Sequence, residues 1–306
     1  MRRAAVVAVA VAAQIAQIAH GGAAADTAAP RLAALAPADD ARRAIAIGRG
    51  GEVYEPDGNG AWVHRLPCTT ATPVVAAGRA GAAIVALGDG VVYRLAGNGW
   101  SAIRLVQHGK AILGDGPRAL AAVGRQLFAL DPMPRGEPTR IAQAPGEIIA
   151  IGAGPAAAVV ATDAGVFRLA GGKLVAIAAL PGRPRLVSDR WAIVDRGALE
   201  LTTGRVTPWP AGVDIGPAAV AGDALVAVAS NSDGLELLTV AGGKLARDRL
   251  GVTGTAVGVA ADRASRAVVA LADGRIALRG AAGWTVTQVV DEPVTERHGP
   301  APAASQ

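Results

Sequence analysis

The chain of 306 residues has one cysteine, Cys68, so no intrachain disulfide can brace it. A lone thiol in an oxidising compartment is either buried or paired with another chain, and burial is expected of Cys68 because free cysteine behaves as a small hydrophobe. Aromatic residues are almost as scarce, with two Tyr, two Phe and five Trp making up 3% of the chain. Charges are scattered, Lys+Arg 30 against Asp+Glu 25, with no basic stripe and no aromatics interleaved. That excludes the usual nucleic-acid surface, and no nucleic-acid partner is expected. Outside the first 25 residues the histidines are His64, His108 and His298, and they lack the i, i+4 or Cys-paired spacing of metal sites. No metal and no cofactor is expected. Beyond those first 25 residues long apolar runs are missing too, since Gly or Asp-Gly interrupts the chain about every eight residues, which excludes ordinary helices in spite of the abundant Ala.

What is present begins with a leader. Arg2 and Arg3 precede an apolar run from Ala4 to Ala13, and a small-residue stretch closes on Ala23-Ala24-Ala25 before Asp26. This is the order of a secretory signal peptide, expected to be cleaved after Ala25, which places the mature protein in the periplasm or outside the cell. Gln14 and Gln17 interrupt the run, so no stable membrane span is expected after cleavage. Loss of the leader removes two arginines and leaves a net charge near +3 from the formal +5. At the other end, residues 291–306 hold Pro293, Pro300 and Pro302 among small and polar residues, and are expected to be a disordered tail.

Between the two, a phrase recurs: VYEPDGNGAW from Val53, VYRLAGNGW from Val92, VFRLAGGKL from Val166, LLTVAGGKL from Leu237 and IALRGAAGW from Ile276. Aligning its turns sets Gly58, Gly97, Gly136, Gly171, Gly204, Gly242 and Gly280 in register, with steps of 39, 39, 35, 33, 38 and 38 residues. Each unit reads as four short strands. In the second they are VVAA (74–77), AAIVAL (82–87), VVYRL (91–95) and WSAIRL (100–105), with a Gly-Arg-Ala-Gly loop after the first and Asp-Gly or Asn-Gly turns between the others. The third and fifth units are degenerate but legible through QLFALD and RWAIVD. The Gly-rich phrase IGAGPAAA mimics a dinucleotide fingerprint, but a strand follows it where that motif needs a helix.

This pattern resembles a seven-bladed β-propeller of four-stranded antiparallel blades, all-β, over residues 26–290. ATDAGVFRL is similar to the turn of Asp-box and photosystem-assembly-type propellers, and LFALD to the quinoprotein repeat, though neither extends to a full repeat signature. No Trp-Asp pair of the WD-repeat kind occurs. The sialidase set of tyrosine, glutamate and clustered arginines is not visible, and the aromatics that would sandwich a quinone cofactor are too few.

The resemblance implies that turns between second and third strands share one rim with the links between blades. Asp89, Asp163, Asp195, Asp233 and Asp273 occupy those turns, while His108 and Asp214 lie in links. Together they are the candidate binding residues, a partial ring of carboxylates at one mouth; as aspartates before glycine they are also ordinary turn formers. No catalytic residue is assigned. Trp62, Trp100 and Trp284 open fourth strands and are expected to pack between blades, whereas Trp191 or Trp209 is placed to line a surface pocket. The links Pro67 to Pro73, Val106 to Gly109 and Pro210 to Gly216 differ most among copies and form the expected contact surface. The function expected is a non-catalytic protein- or glycan-binding scaffold of the cell envelope. The alternative is a hydrolase or lyase using a metal or carboxylates at the channel mouth.

Overall fold

The computed structural model describes residues 31–36, 40–57, 60–66, 69–80, 83–96, 99–104, 111–113, 120–130, 138–153, 157–264 and 266–293. Apart from a single 3-10 turn at Ala41–Arg43, their regular structure is all β. The strands run in groups of four. The first group is β1 (Leu32–Ala36), β2 (Ile45–Gly48), β3 (Val53–Pro56) and β4 (Trp62–Leu66). Next come β5 (Ala76–Ala80), β6 (Ala83–Leu87), β7 (Val91–Ala96) and β8 (Gly99–Arg104), then β9 (Ala111–Leu113), β10 (Leu120–Val123), β11 (Gln126–Ala129) and β12 (Thr139–Gln143). They are followed by β13 (Ile148–Ala153), β14 (Ala158–Thr162), β15 (Gly165–Ala170) and β16 (Lys173–Ala178), and by β17 (Pro184–Val187), β18 (Trp191–Val194), β19 (Gly197–Glu200) and β20 (Val206–Pro208). The last eight are β21 (Asp214–Ala221), β22 (Ala224–Asn231), β23 (Gly234–Ala241), β24 (Lys244–Arg249), β25 (Ala256–Ala261), β26 (Ala267–Leu271), β27 (Arg275–Gly280) and β28 (Gly283–Pro293).

Within every group consecutive strands pair antiparallel, which makes each a meander. Five meanders are separate four-stranded sheets, whereas seven were expected. The difference lies at the seam: β1–β4 and β25–β28 are fused into one eight-stranded sheet. The cause is the length of β28. Its first half pairs antiparallel with β27, and its second half leaves the meander to run parallel to β4, with Val289 opposite Trp62, Val290 opposite Val63 and Pro293 opposite His64. The strand therefore passes residue 290, where the domain was expected to end, and covers an edge that would otherwise present unpaired N–H and C=O groups. A second correction concerns β5, which begins two residues later than VVAA and takes in Gly78, Arg79 and Ala80, expected to be loop. Its backbone pairing with β6 continues to Ala80 opposite Ala83, and no proline interrupts it.

The sequence explains the layering. Second strands such as AVVAT (β14), WAIV (β18) and AVVAL (β26) are buried at every position, because neighbouring meanders cover both faces and alternation is not required of them. Outer strands such as KLVAIA (β16) and KLARDR (β24) are largely exposed. The turns rest on residues that tolerate positive φ: Gly90 after Asp89 and Gly274 after Asp273 have φ of 68° and 90°.

The buried clusters among the described residues lie between consecutive meanders. Ile47 and Val53 pack against Ile84 and Tyr93, Val160 against Leu127, and Trp191 and Ile193 against Ile215 and Leu225. One cluster joins the last meander to the first, with Trp62 and Leu35 against Val268, Ile276 and Val289. The array is thus closed by apolar burial, at roughly 1.5–3 kcal/mol for each large side chain fully withdrawn from water. Trp62, Trp100 and Trp284 belong to such clusters, as expected from their positions.

The seam also carries a polar latch. The Asp262 carboxylate, with a side chain only 4% exposed, accepts hydrogen bonds from the Ala41, Ala264 and Arg266 N–H groups and from the Arg266 guanidinium, which also pairs with Asp40 at 3.3 Å. Burial alone would raise this carboxyl, but the bonds from Arg266, Ala264 and Ala41 outweigh it and hold it below the ordinary aspartate value. A depressed folded-state value stabilises above the unfolded pKa of about 3.9 and is lost as pH falls through the lower folded value. Acid titration of stability should therefore be shallower below about pH 4 in Asp262→Asn, which also starts less stable at neutral pH. An unchanged acid limb would remove the latch from the account.

Candidate functional site

Four antiparallel strands per meander place the turns between second and third strands and the links between meanders on one rim. The structure puts the sequence-predicted aspartates there, and what surrounds each differs. Asp89 is an exposed turn residue. Asp163 is exposed and lies over Gly146, where a Cβ would come within 2.0 Å of its Oδ1. Asp233 pairs with Arg249 of β24 at 3.1 Å, and its N–H donates to Asn231 Oδ1 at 2.8 Å. Asp273 accepts from Arg275 Nε at 2.9 Å and Nη2 at 2.6 Å, and Arg275 also donates to the Thr253 carbonyl. The Arg275 bonds hold the Asp273 carboxyl below its usual range against a smaller opposing effect of burial, and Asp273 in turn raises Arg275. His108 and Cys68 lie outside the described residues.

These carboxylates do not gather. Among the described residues no three His, Cys, Asp or Glu side chains come together as a metal site would require. Where partners are present they are arginines, so in these turns an aspartate both caps a turn and anchors a cation. His64 is buried and stacks on Tyr54, with ring centroids 5.1 Å apart. Elsewhere the buried acids also meet arginine. Glu236 takes two bonds of 2.8 Å from Arg247, and Glu200 takes bonds of 3.0 and 2.9 Å from Arg190. The Arg190 bonds, with one from Thr203, depress the Glu200 carboxyl. These pairs tie strands together.

One place on the rim is built differently. Between the β17–β20 and β21–β24 sheets lies a cavity of about 300 Å³. Trp209, Pro210, Val194, Val213 and Ile215 form its apolar wall, and Arg185, Asp195, Arg196 and Asp214 bring charge to it. The elements fix this composition. β17 supplies Arg185, the end of β18 and the turn after it supply Val194, Asp195 and Arg196, and the link after β20 with the start of β21 supplies the rest. Trp209 is held by its Nε1, which donates to the Val194 carbonyl at 3.1 Å, and by its N–H to the Arg196 carbonyl at 3.4 Å. Arg185 reaches across from one sheet to the next. Its Nη1 donates to the Ile215 carbonyl at 2.9 Å, its Nε lies 3.3 Å from Asp195, and Asp214 stands 3.7 Å away. Only the first is a well-formed bond by distance. Asp195 and Asp214 remain 51% and 70% exposed at their side chains, so their charges are available to solvent or a ligand.

Of the sequence-predicted residues, the cavity unites Asp195 and Asp214 with Trp209 and with Pro210, Val213 and Ile215 of the link. It also uses Arg185 and Arg196, which the sequence did not single out. Arg185 sits in the degenerate fifth repeat, where PRLV replaces the Ala- and Val-rich first strand of other copies. That departure was the one available signal.

No helix among the described residues is long and apolar enough to cross a membrane. No protein-family model matches the chain, and no curated protein matches it, so the partial likenesses of ATDAGVFRL and LFALD gain no family support. Solved structures do match. The structure is similar to streptogramin B lyase at 12% identity, covering 86% of this chain and 95% of that one, with a TM-score of 0.64. It is similar to U3-55K at 12% identity, with coverage of 79% and 89% and a TM-score of 0.58. It is also similar to the WD40 β-propeller domain of Doa1, at 10% identity with coverage of 81% and 92% and a TM-score of 0.56. At such identities the likeness is one of fold: the chain is an all-β propeller of four-stranded antiparallel blades.

Proposed function

We propose that this propeller is an exported, non-catalytic binding module that engages a protein or glycan of the cell envelope through the rim carrying the links. The cavity walled by Trp209 carries this reading, because it joins an orienting aromatic to exposed charges of both signs on a rigid frame. We read the eight-stranded sheet as two blades sharing an edge, which gives the ring sevenfold pseudo-symmetry. Export rests on the leader of residues 1–25, and the mature protein is expected to begin at Asp26.

Two measurements test this. N-terminal sequencing of protein recovered from the envelope fraction should start at Asp26, and an intact leader on cytoplasmic protein would refute export. Capture with immobilised mature protein should return a partner that the charge reversal Asp195→Lys/Asp214→Lys no longer holds. Arg263→Glu, an exposed change in the turn after β25 on the other rim, should retain it. Equal loss in both variants, or no partner with folded bait, would remove the rim from the account.

A further inference from the structure

We infer that the cavity between the β17–β20 and β21–β24 sheets takes a small zwitterion, an apolar α-amino acid or the short peptide built from it. The inference rests on the proposed reading of this rim as the binding surface and names its ligand class. The charges of Arg185, Asp195, Arg196 and Asp214 sum to zero, yet they do not satisfy one another. Arg185 spends Nη1 on the Ile215 carbonyl and offers Nε to Asp195 only at 3.3 Å, and its Nη2 has no partner among the described residues. The Arg196 guanidinium likewise has none, although its carbonyl holds the Trp209 N–H. Asp214 has only the 3.7 Å approach of Arg185. The cavity thus keeps unused guanidinium donors and unused carboxylate acceptors beside an apolar wall.

A simple anion would meet two carboxylates, and a simple cation would meet two guanidinium groups; either leaves one sign unanswered at close range. A ligand with an ammonium and a carboxylate on one short backbone answers both, and its side chain would cover Trp209 and Val213. Size agrees. About 300 Å³ is at the lower end of ligand cavities and sufficient for one or two residues. Asp195 and Asp214, both largely exposed, would exchange their loose hold on Arg185 for the ammonium, leaving the unused donors of Arg185 and Arg196 for the carboxylate.

The experiment is a titration of the mature protein with leucine, Leu-Leu, N-acetyl-Leu-Leu and Leu-Leu-amide, followed by tryptophan fluorescence and by calorimetry. Leucine or Leu-Leu should saturate, whichever is tighter naming the source, and each cap should weaken binding at least tenfold by removing one charge-assisted contact. In Asp214→Asn the acetyl cap should lose most of its effect, and in Arg196→Gln the amide cap should. Both are exposed substitutions that leave the thermal transition in place. The fluorescence change should vanish in Trp209→Phe while calorimetric binding persists. Equal binding of capped and uncapped peptides would overturn the inference, as would no saturation by leucine or Leu-Leu at about 10 mM. If the peptides fail but rim variants still abolish partner capture, the ligand class falls and the binding module stands.

Discussion

Gly258→Val should abolish folding or lower the unfolding free energy by about 3 kcal/mol or more, a large fraction of the 5–15 kcal/mol typical of a domain. Gly258 lies in β25, where the innermost strand of the last meander meets β1. A Cβ there would come 2.7 Å from the Leu35 nitrogen and 2.4 Å from its Cβ. Main chain cannot yield as the tip of a flexible side chain can. Gly152 in β13 stands in the same relation to the next meander, with a notional Cβ 2.2 Å from the Val187 carbonyl oxygen and 2.6 Å from Ser188 Cα. Even Gly152→Ala should be costly, because the strands nearest the axis approach to distances only hydrogen can occupy. Gly99→Ala is the control, since nothing lies within 4 Å of its notional Cβ, and its effect should stay within about 0.5 kcal/mol. Urea unfolding of the three proteins is the measurement. An unaltered midpoint for Gly258→Val would mean that β25 and β1 do not pack as described.

Val289→Asp should cost about 3 kcal/mol or more, whereas Val290→Asp, one residue on, should cost little. Both belong to the half of β28 that runs beside β4, but alternation sends them to opposite sides. Val289 is 3% exposed within the cluster of Trp62, Val268 and Ile276, whereas Val290 is 41% exposed. A carboxylate at 289 would be buried with no cation in that cluster. Thermal unfolding of the pair reads the register directly, since a slip of one residue would exchange the two results. Similar losses in both would show that the seam is not closed by this strand.

The strands themselves were legible in the primary structure because turn chemistry and burial agree. AVVAL between Ala261 and the Asp273-Gly274 turn has no other reading, and its strand β26 has the expected bounds. Even the degenerate third and fifth repeats, found through QLFALD and RWAIVD, keep four strands each. The fusion at the seam was not legible, because it depends on a parallel pairing between residues at opposite ends of the sequence. Proline at 293 argued for a tail, yet it is the last residue of β28 and pairs opposite His64 of β4.

The candidate site divides in the same way. Trp209 and the link after it stood out by composition, and the turn aspartates by recurrence. Their arginine partners did not, because Arg185 stands ten positions before Asp195 and Arg249 sixteen after Asp233. Only cross-strand register brings these two pairs together, whereas Arg275 stands two positions after its partner Asp273. In the fifth to seventh repeats the recurring turn aspartates Asp195, Asp233 and Asp273 each stand beside an arginine.

The seam has a consequence for a chain still being made. Until residues 289–293 emerge, β4 has no neighbour on its outer side, and Trp62 lacks the last meander that buries it. A stalled or prematurely ended polypeptide would thus display an open ladder beside a large greasy ring, the combination that recruits strands from other molecules. Delivery in an unfolded state, with collapse deferred until the final strand arrives, would spare this protein that hazard.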